Sequence, residues 1–272
     1  MIPEITSFKP DNYLNSIIKQ YLFVEARNTG EVQFVPARPT AFFMFFITDK
    51  PFRITRNGQT KTLDNSVIHG PVTKPYFFSS NAGRLRSLLI EFTETGLYRL
   101  FGEKIESFVD EILPLDTILT GKTVEGLRAR IHEMSHYAEF FKTIDKLIGN
   151  MAKNQIYKVP HFIETIIDMI KTDDNNLSVE GLSEELGYSR QHISRSFKRV
   201  VSIKLNNYFR ILRFNKLFSR NALSDTNASL YDMNYFDQSH LIKEYRRFAG
   251  FTPGSLPDDY FEFIRLFIQS MN

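Results

Sequence analysis

The stretch from Ser178 to Arg199 constrains the fold of this chain more than any other. Ser178 is placed to cap a helix running to about Leu186, with Leu182 and Leu186 four residues apart on its buried side. Gly187 then supplies a sharp turn, since glycine takes positive φ without steric cost, and Ser189 caps a second helix. In that second helix Ile193 and Phe197 share one face, which leaves Arg190, Gln191, Ser194, Arg195 and Lys198 to solvent or a partner. Two short helices around a glycine turn, the second carrying long donor side chains on its open face, form a helix-turn-helix suited to base edges and phosphates. A longer helix is expected from Leu205 to about Ala222, with Tyr208, Phe209, Leu212 and Leu217 inward and Arg210, Arg213, Lys216 and Arg220 spread along it. At 1.5 Å per residue it would be a rigid spacer of about 25 Å.

Charge follows the same division. Residues 1–176 carry 21 basic and 21 acidic side chains, residues 177–250 carry 12 and 7, and residues 251–272 carry 1 and 3. The positive surplus therefore sits where phosphate contact is expected. A chain of 272 residues with 42% hydrophobic content can supply cores for two domains. Cysteine is absent, which excludes disulfides, thiolate metal sites and cysteine catalysis. No run of about 18 apolar residues occurs, and Met1-Ile2-Pro3-Glu4 does not begin a basic and then apolar leader, so no membrane association is expected and the cytoplasm is the expected location.

The first part of the chain, to about residue 92, reads as antiparallel β structure. Strands are expected at Glu31 to Val35, Ala41 to Thr48, Phe52 to Arg56, Gln59 to Leu63, Ser66 to His69, Tyr76 to Ser79 and Leu85 to Phe92. Asn57-Gly58 between two of these runs is a hairpin signal, because a type I′ turn needs positive φ at both positions. Many short strands between turn residues imply a small antiparallel barrel or sandwich. Helical periodicity follows: Val124, Leu127, Ile131, Met134, Ala138 and Phe141 keep a 3, 4 spacing that Asp145 interrupts. That stripe requires a partner, either the β domain or a neighbouring helix, or else a second copy of the chain; so short a repeat favours packing within the chain. The polar run Lys171 to Asn176 marks a boundary between residues 1–172 and 173–272. The fold class is thus α+β, an N-terminal β-barrel or sandwich with a helical connector followed by an all-α domain.

Several stretches, in order, carry a resemblance: Leu182-Ser183-Glu184-Glu185-Leu186-Gly187-Tyr188-Ser189, Ile193-Ser194-Arg195-Ser196-Phe197-Lys198, Tyr208 with Arg213, Tyr235-Phe236-Asp237-Gln238-Ser239-His240, Phe248, and Gly250-Phe251-Thr252-Pro253. Over residues 177–256 the chain resembles the AraC/XylS family of bacterial transcription regulators. The resemblance implies tandem helix-turn-helix units whose recognition helices enter successive major grooves, about 34 Å apart. Carried over by position, the base readers are Gln191, Ser194 and Arg195 in the first unit and Gln238, Ser239 and Lys243 in the second; glutamine and arginine pair bidentately with adenine and guanine. Arg190 is a further DNA contact, and Lys198, Arg199, Arg246 and Arg247 are candidates for phosphates. Only Met233 and Asn234 separate Asp232 from Tyr235, which is about one helical turn less than in relatives and shortens the first helix of the second unit.

Pro75, Gly83 to Glu91 and Thr95 to Gly102 are similar, more loosely, to barrel-type N-terminal domains of some relatives. The family arrangement implies a sensing or dimerising domain, with double-stranded DNA, RNA polymerase, a small-molecule effector and a second copy of the chain as partners. A barrel mouth holds small ligands in such folds, and Arg38, His69 and Arg84 are the polar residues to examine there. No motif implies a catalytic residue, a cofactor or a metal, with one rival: His132-Glu133-Met134-Ser135-His136 matches the pattern that sets two imidazoles one turn apart for zinc, with Glu164 as third ligand. The histidines lie off the apolar stripe and away from a cleft, which argues against a zinc hydrolase. A ligand-binding or interaction protein with a degenerate second helix-turn-helix is the other alternative. Tyr260 to Met271 is apolar enough to form a docked terminal helix.

Overall fold

The computed structural model describes residues 4–27, 33–48, 50, 52–56, 58–80, 83–172, 177–223 and 238–252. Within these, the N-terminal half has strands β1 (Glu4–Phe8), β2 (Ile18–Arg27), β3 (Gln33–Val35), β4 (Phe42–Phe46), β5 (Phe52–Arg56), β6 (Gln59–Leu63), β7 (Ser66–His69), β8 (Tyr76–Ser80), β9 (Arg84–Phe92) and β10 (Ile112–Pro114). They form two antiparallel sheets, ordered β1-β2-β9-β4-β7-β10 and β3-β8-β5-β6. Helices α1 (Gly96–Phe101), α2 (Gly121–Glu133), α3 (Tyr137–Asn154) and α4 (His161–Thr172) follow, then α5 (Val179–Leu186), α6 (Arg190–Val201), α7 (Leu205–Leu223) and α8 (Gln238–Phe248). The observed class is the α+β arrangement expected from sequence.

The six-stranded sheet is the middle of three layers, and this explains its composition. One face, with Leu22, Val24, Phe42 and Leu89, looks toward the smaller sheet. The other, with Tyr21, Phe23, Phe43, Phe45, Leu88 and Ile90, is covered by the helices. Strands buried on both faces carry unbroken apolar runs rather than an alternation. That is why β2, ten residues long, carries no period-2 pattern and is not among the strands expected from sequence. It pairs with β9 from Ala26↔Leu85 through Ile18↔Phe92 and is central to the sheet. β1 and β10 are also additions to the expected set.

The single helical stripe expected over Val124 to Phe141 is two helices. Thr120 caps α2 by accepting from the Thr123 N–H at 3.2 Å, and the chain is extended at Met134 and again at His136 before α3 begins. The break sets α3 across the sheet, where Tyr137 stacks on Phe23 with ring centroids 3.7 Å apart and Phe141 on Tyr21 at 4.6 Å. These aromatic contacts compensate for the lost helical turn. Val124, Leu127, Ile131 and Phe141 of the expected stripe are buried within the chain, whereas Met134 is half-buried and Ala138 is exposed, because the new helix start turns Phe140 inward instead.

Asp145 does not end α3 but sits buried inside it, accepting a short hydrogen bond from the Tyr21 hydroxyl. Burial raises the carboxyl pKa above its ordinary value, partly countered by the Tyr21 bond. A carboxyl with a raised native pKa favours the folded state when protonated, and that contribution is lost as pH rises through the raised value. Asp145→Asn keeps an acceptor for Tyr21 and removes the buried charge. It is expected to raise Tm above wild type at pH 8, with the gap narrowing toward pH 4; thermal melts across that range test it.

In the C-terminal half, α7 turns its buried side along Leu205, Tyr208, Ile211, Phe214 and Phe218. Of the residues expected inward, Tyr208 is buried, Phe209 and Leu212 are half-buried, and the side chain of Leu217 lies outside the described set. Two apolar stripes run side by side on this helix, and the one carrying larger aromatic volume goes to the core. The shortened first helix expected for the second unit, next to Asp232 and Tyr235, and the helix expected at Tyr260 to Met271 lie outside the described residues. No described helix is long and apolar enough to cross a membrane.

Candidate nucleic-acid interface

The first helix-turn-helix is built as its capping residues dictate. Ser178 Oγ accepts from the Gly181 N–H at 3.0 Å, and Ser189 Oγ accepts from the His192 N–H at 3.2 Å. Gly187 closes α5 in the left-handed region at φ 69°, where a side chain would be strained. Ser183 Oγ donates to the Tyr188 carbonyl at 2.7 Å and braces the turn. Ile193, Phe197, Val200 and Val201 are buried, and Phe197 meets Tyr208 edge-on at 5.1 Å, fixing α6 against α7.

That packing decides which side chains of α6 stay outside. Gln191, Arg195 and Arg199, four residues apart, are exposed in one row, with Ser194 and Lys198 half-exposed beside it. Among the described residues no side-chain hydrogen bond or ion pair engages Gln191, Arg195 or Arg199. Arg190 differs, because its guanidinium reaches back to Glu180 at 2.9 Å and holds that carboxyl below its usual pKa. Lys198 is ion-paired with Glu106, in the turn after α1. Neither acidic partner carries a sequence signal, since both pairings are set by how α5 and the 102–108 turn lie against α6.

α8 is the helix that the family resemblance assigns to the second unit. Phe248 and Tyr245 are buried against Phe214, and the buried Glu244 is ion-paired with Arg210, which ties α8 to α7. Ser239, Lys243, Arg246 and Arg247 are exposed, and Gln238 opens the helix with its side chain outside the described set. Arg247 is partly committed, donating to Asn207 Oδ1 at 3.3 Å and lying over the Phe248 ring at 5.4 Å.

Between the two sheets lies a cavity of about 90 Å³. Its wall is almost wholly apolar, with Met44, Phe46, Phe52, Ile54, Phe78 and Leu89 among its lining. Arg38 and His69 line it, with Tyr76 beside them; Arg84 does not. Arg84 sits at the exposed start of β9, ion-paired with Glu25, and is corrected from the expected set because the pleat turns it to solvent. Arg38 is buried with its guanidinium 4.6 Å over the Phe42 ring. Burial pulls its pKa down and the nearby Glu91 carboxylate opposes that shift. Glu91 is itself buried, accepting from Gln20 Nε2 at 2.8 Å and Thr40 Oγ1 at 3.1 Å. The apolar lining was invisible as a site from sequence, because the same residues serve equally as core.

The zinc alternative fails on geometry. His132 lies in the last turn of α2 and His136 caps α3, with the extended break between them, so the two imidazoles are not on one helix. Glu164 is ion-paired with Arg99. Among the described residues no group of three or more His, Cys, Asp or Glu side chains is placed to hold a metal ion.

No family model and no curated protein matches the sequence. Solved structures do. ToxT from Vibrio cholerae aligns with a TM-score of 0.50 at 9% identity, covering 99% of both chains. A variant of apo ToxT from Vibrio cholerae strain SCE256 aligns with the same score, 0.50, at 13% identity over 89% of this chain and 97% of that one. The AraC-like transcriptional activator CuxR matches more loosely, at a TM-score of 0.34 and 15% identity over 79% of this chain and 80% of the other. The chain has the two-domain fold of ToxT, a β domain followed by a helical domain, which is the architecture implied by its resemblance to the AraC/XylS family.

Proposed function

We propose that this chain is a sequence-specific DNA-binding transcription regulator acting in the cytoplasm, with no catalytic role. The observation that carries the reading is the open row Gln191, Arg195 and Arg199 on α6. A helix whose buried face is held by a second helix, and whose outer face offers a glutamine and an arginine with no side-chain partner among the described residues, is shaped for a major groove. Gln191, Ser194 and Arg195 would read base edges. Lys198, Arg199, Arg246 and Arg247 would hold phosphates, with Ser239, Lys243 and Gln238 facing bases in the adjacent groove. The division at residues 172 and 173 separates this reading head from a domain whose cavity would take a small, largely apolar effector beside Arg38 and His69. Output would pass to RNA polymerase, from one chain or a pair.

The test begins with selection of duplexes from a random pool by the full chain, followed by binding titrations at 50 and 200 mM salt. About four phosphate contacts would cost roughly a hundredfold in affinity over that range for selected and random duplexes alike. A regulator keeps its preference for the selected sequence throughout. Failure to enrich any sequence, with binding to all duplexes lost together, would favour a ligand-binding protein that does not read DNA.

A further inference from the structure

Two neighbouring segments of the β domain are used on both sides. In β8, Tyr76 and Phe78 face the cavity. Phe77, between them, points the opposite way, as the pleat requires, and meets the Phe251 ring edge-on at 5.9 Å. At the end of β3 and just beyond it, Val35, Pro36 and Arg38 line the cavity. The intervening Ala37 is fully buried, and its N–H donates to the carbonyl of Phe248, the last residue of α8, at 3.0 Å. Arg38 and Val72 exchange backbone hydrogen bonds at 2.8 Å each way, which joins the first segment to the stretch leading into β8. Gly250 lies against Pro75, close enough that a Cβ there would stand 3.5 Å from Pro75 Cγ.

We infer that residues 35–38 and 75–78 form a two-sided wall through which filling of the barrel cavity repositions α8, the recognition helix of the second unit. The inference rests on the reading of α8 as a DNA-contacting helix and adds the route by which an effector would act on it. The wall is one backbone with two faces: a body pressing outward on Tyr76, Phe78 or Arg38 must move Phe77 and Ala37 with them. Movement at Ala37 and Phe77 reaches α8 through a backbone hydrogen bond and a ring contact at its C-terminal end. α8 responds as a unit because Phe248 is packed on Phe214 at 5.5 Å and Glu244 is held by Arg210. The first unit meets the N-terminal half elsewhere, through Lys198 with Glu106 and through the Phe162 ring beside Tyr188 and His192, and its helix α6 is joined to α8 at one remove, through α7. An effector would thus alter the relation between two recognition helices rather than either one alone.

The test uses the full chain without DNA, so that it fails or succeeds independently of the DNA-binding reading. Amide hydrogen exchange is followed at Ala37 and at Ala249 to Thr252, with benzene as an apolar probe in the wild-type protein and Ser87→Leu as a permanent filler from the opposite wall. Filling is expected to change exchange at these amides by threefold or more while leaving Ile193 to Val200 of α6 unchanged. In Phe77→Ala or Phe251→Ala the response at 249–252 is expected to shrink at least by half. Exchange at 37 and 249–252 that stays unchanged in both the benzene-saturated protein and Ser87→Leu would overturn the coupling. So would a response that persists in full in both contact variants.

Discussion

Arg195→Ala is expected to weaken binding to a selected duplex by about ten- to a hundredfold, the worth of one bidentate arginine to guanine contact. Binding to random duplex should fall much less, because that depends on total phosphate contact rather than on a base edge. Arg195 carries this prediction because it is exposed, central in the row from Gln191 to Arg199, and engaged by no protein partner among the described residues. Arg190 would respond differently, since its pairing with Glu180 must be broken before it can reach DNA. Lys243→Ala, in the second unit, is expected to cost several-fold less than Arg195→Ala. Equal losses for Arg195→Ala and Lys243→Ala would remove the asymmetry between the two units. Equal losses on selected and random duplexes would reassign Arg195 to the phosphates. Titrations with both duplexes at one fixed salt concentration measure all of these outcomes.

The first helix-turn-helix was legible in the sequence because local rules determine it. A serine cap, a glycine in the left-handed region and a second serine cap each act within a few residues, and the structure realises them at Ser178, Gly187 and Ser189. Strands bounded by turn residues, such as β5 and β6 around Gly58, were legible for the same reason. What failed depended on distant partners. β2 carries no alternation because α3 covers one of its faces and the cavity the other. The break between α2 and α3 follows from where Phe23 and Tyr21 lie on the sheet, not from any helix breaker in Met134, Ser135 or His136. Arg84 and Arg38 look alike in sequence, yet one pairs with Glu25 at the surface and the other is buried over Phe42. Only the strand pleat and the order of strands in the sheets separate them.

Gly70→Ala is expected to be the most destabilising small substitution in the β domain. A Cβ at Gly70 would stand 1.8 Å from the Phe108 carbonyl oxygen and 2.6 Å from its carbon. Both are backbone atoms, so no side-chain rotation can relieve the overlap. The turn in question is pinned: Gly70 N–H donates to the Glu111 carbonyl at 3.0 Å, Asp110 N–H to Pro71 at 2.8 Å, and Asp110 holds φ at 63°. Asp110 is fixed in that conformation by its own carboxylate, which accepts from the Thr73 N–H at 2.7 Å and the Thr73 hydroxyl at 2.6 Å. Relief therefore requires the 108–111 turn to move as a body, and β10 with it, whose Ile112 is paired with His69. Ile112 and His69 both line the cavity, so the damage reaches the proposed effector site as well as the core. A loss of at least about 3 kcal/mol follows from backbone displacement of this kind, which for a domain of this size lowers Tm by roughly 10 °C. Gly83→Ala is the control, with nothing within 4 Å of its Cβ, and is expected to change Tm by no more than about 1 °C. Thermal melts of the two variants beside wild type decide the matter: a Gly70→Ala protein that melts with the control would mean that the 108–111 turn yields without cost. The steric account of this glycine would then be lost.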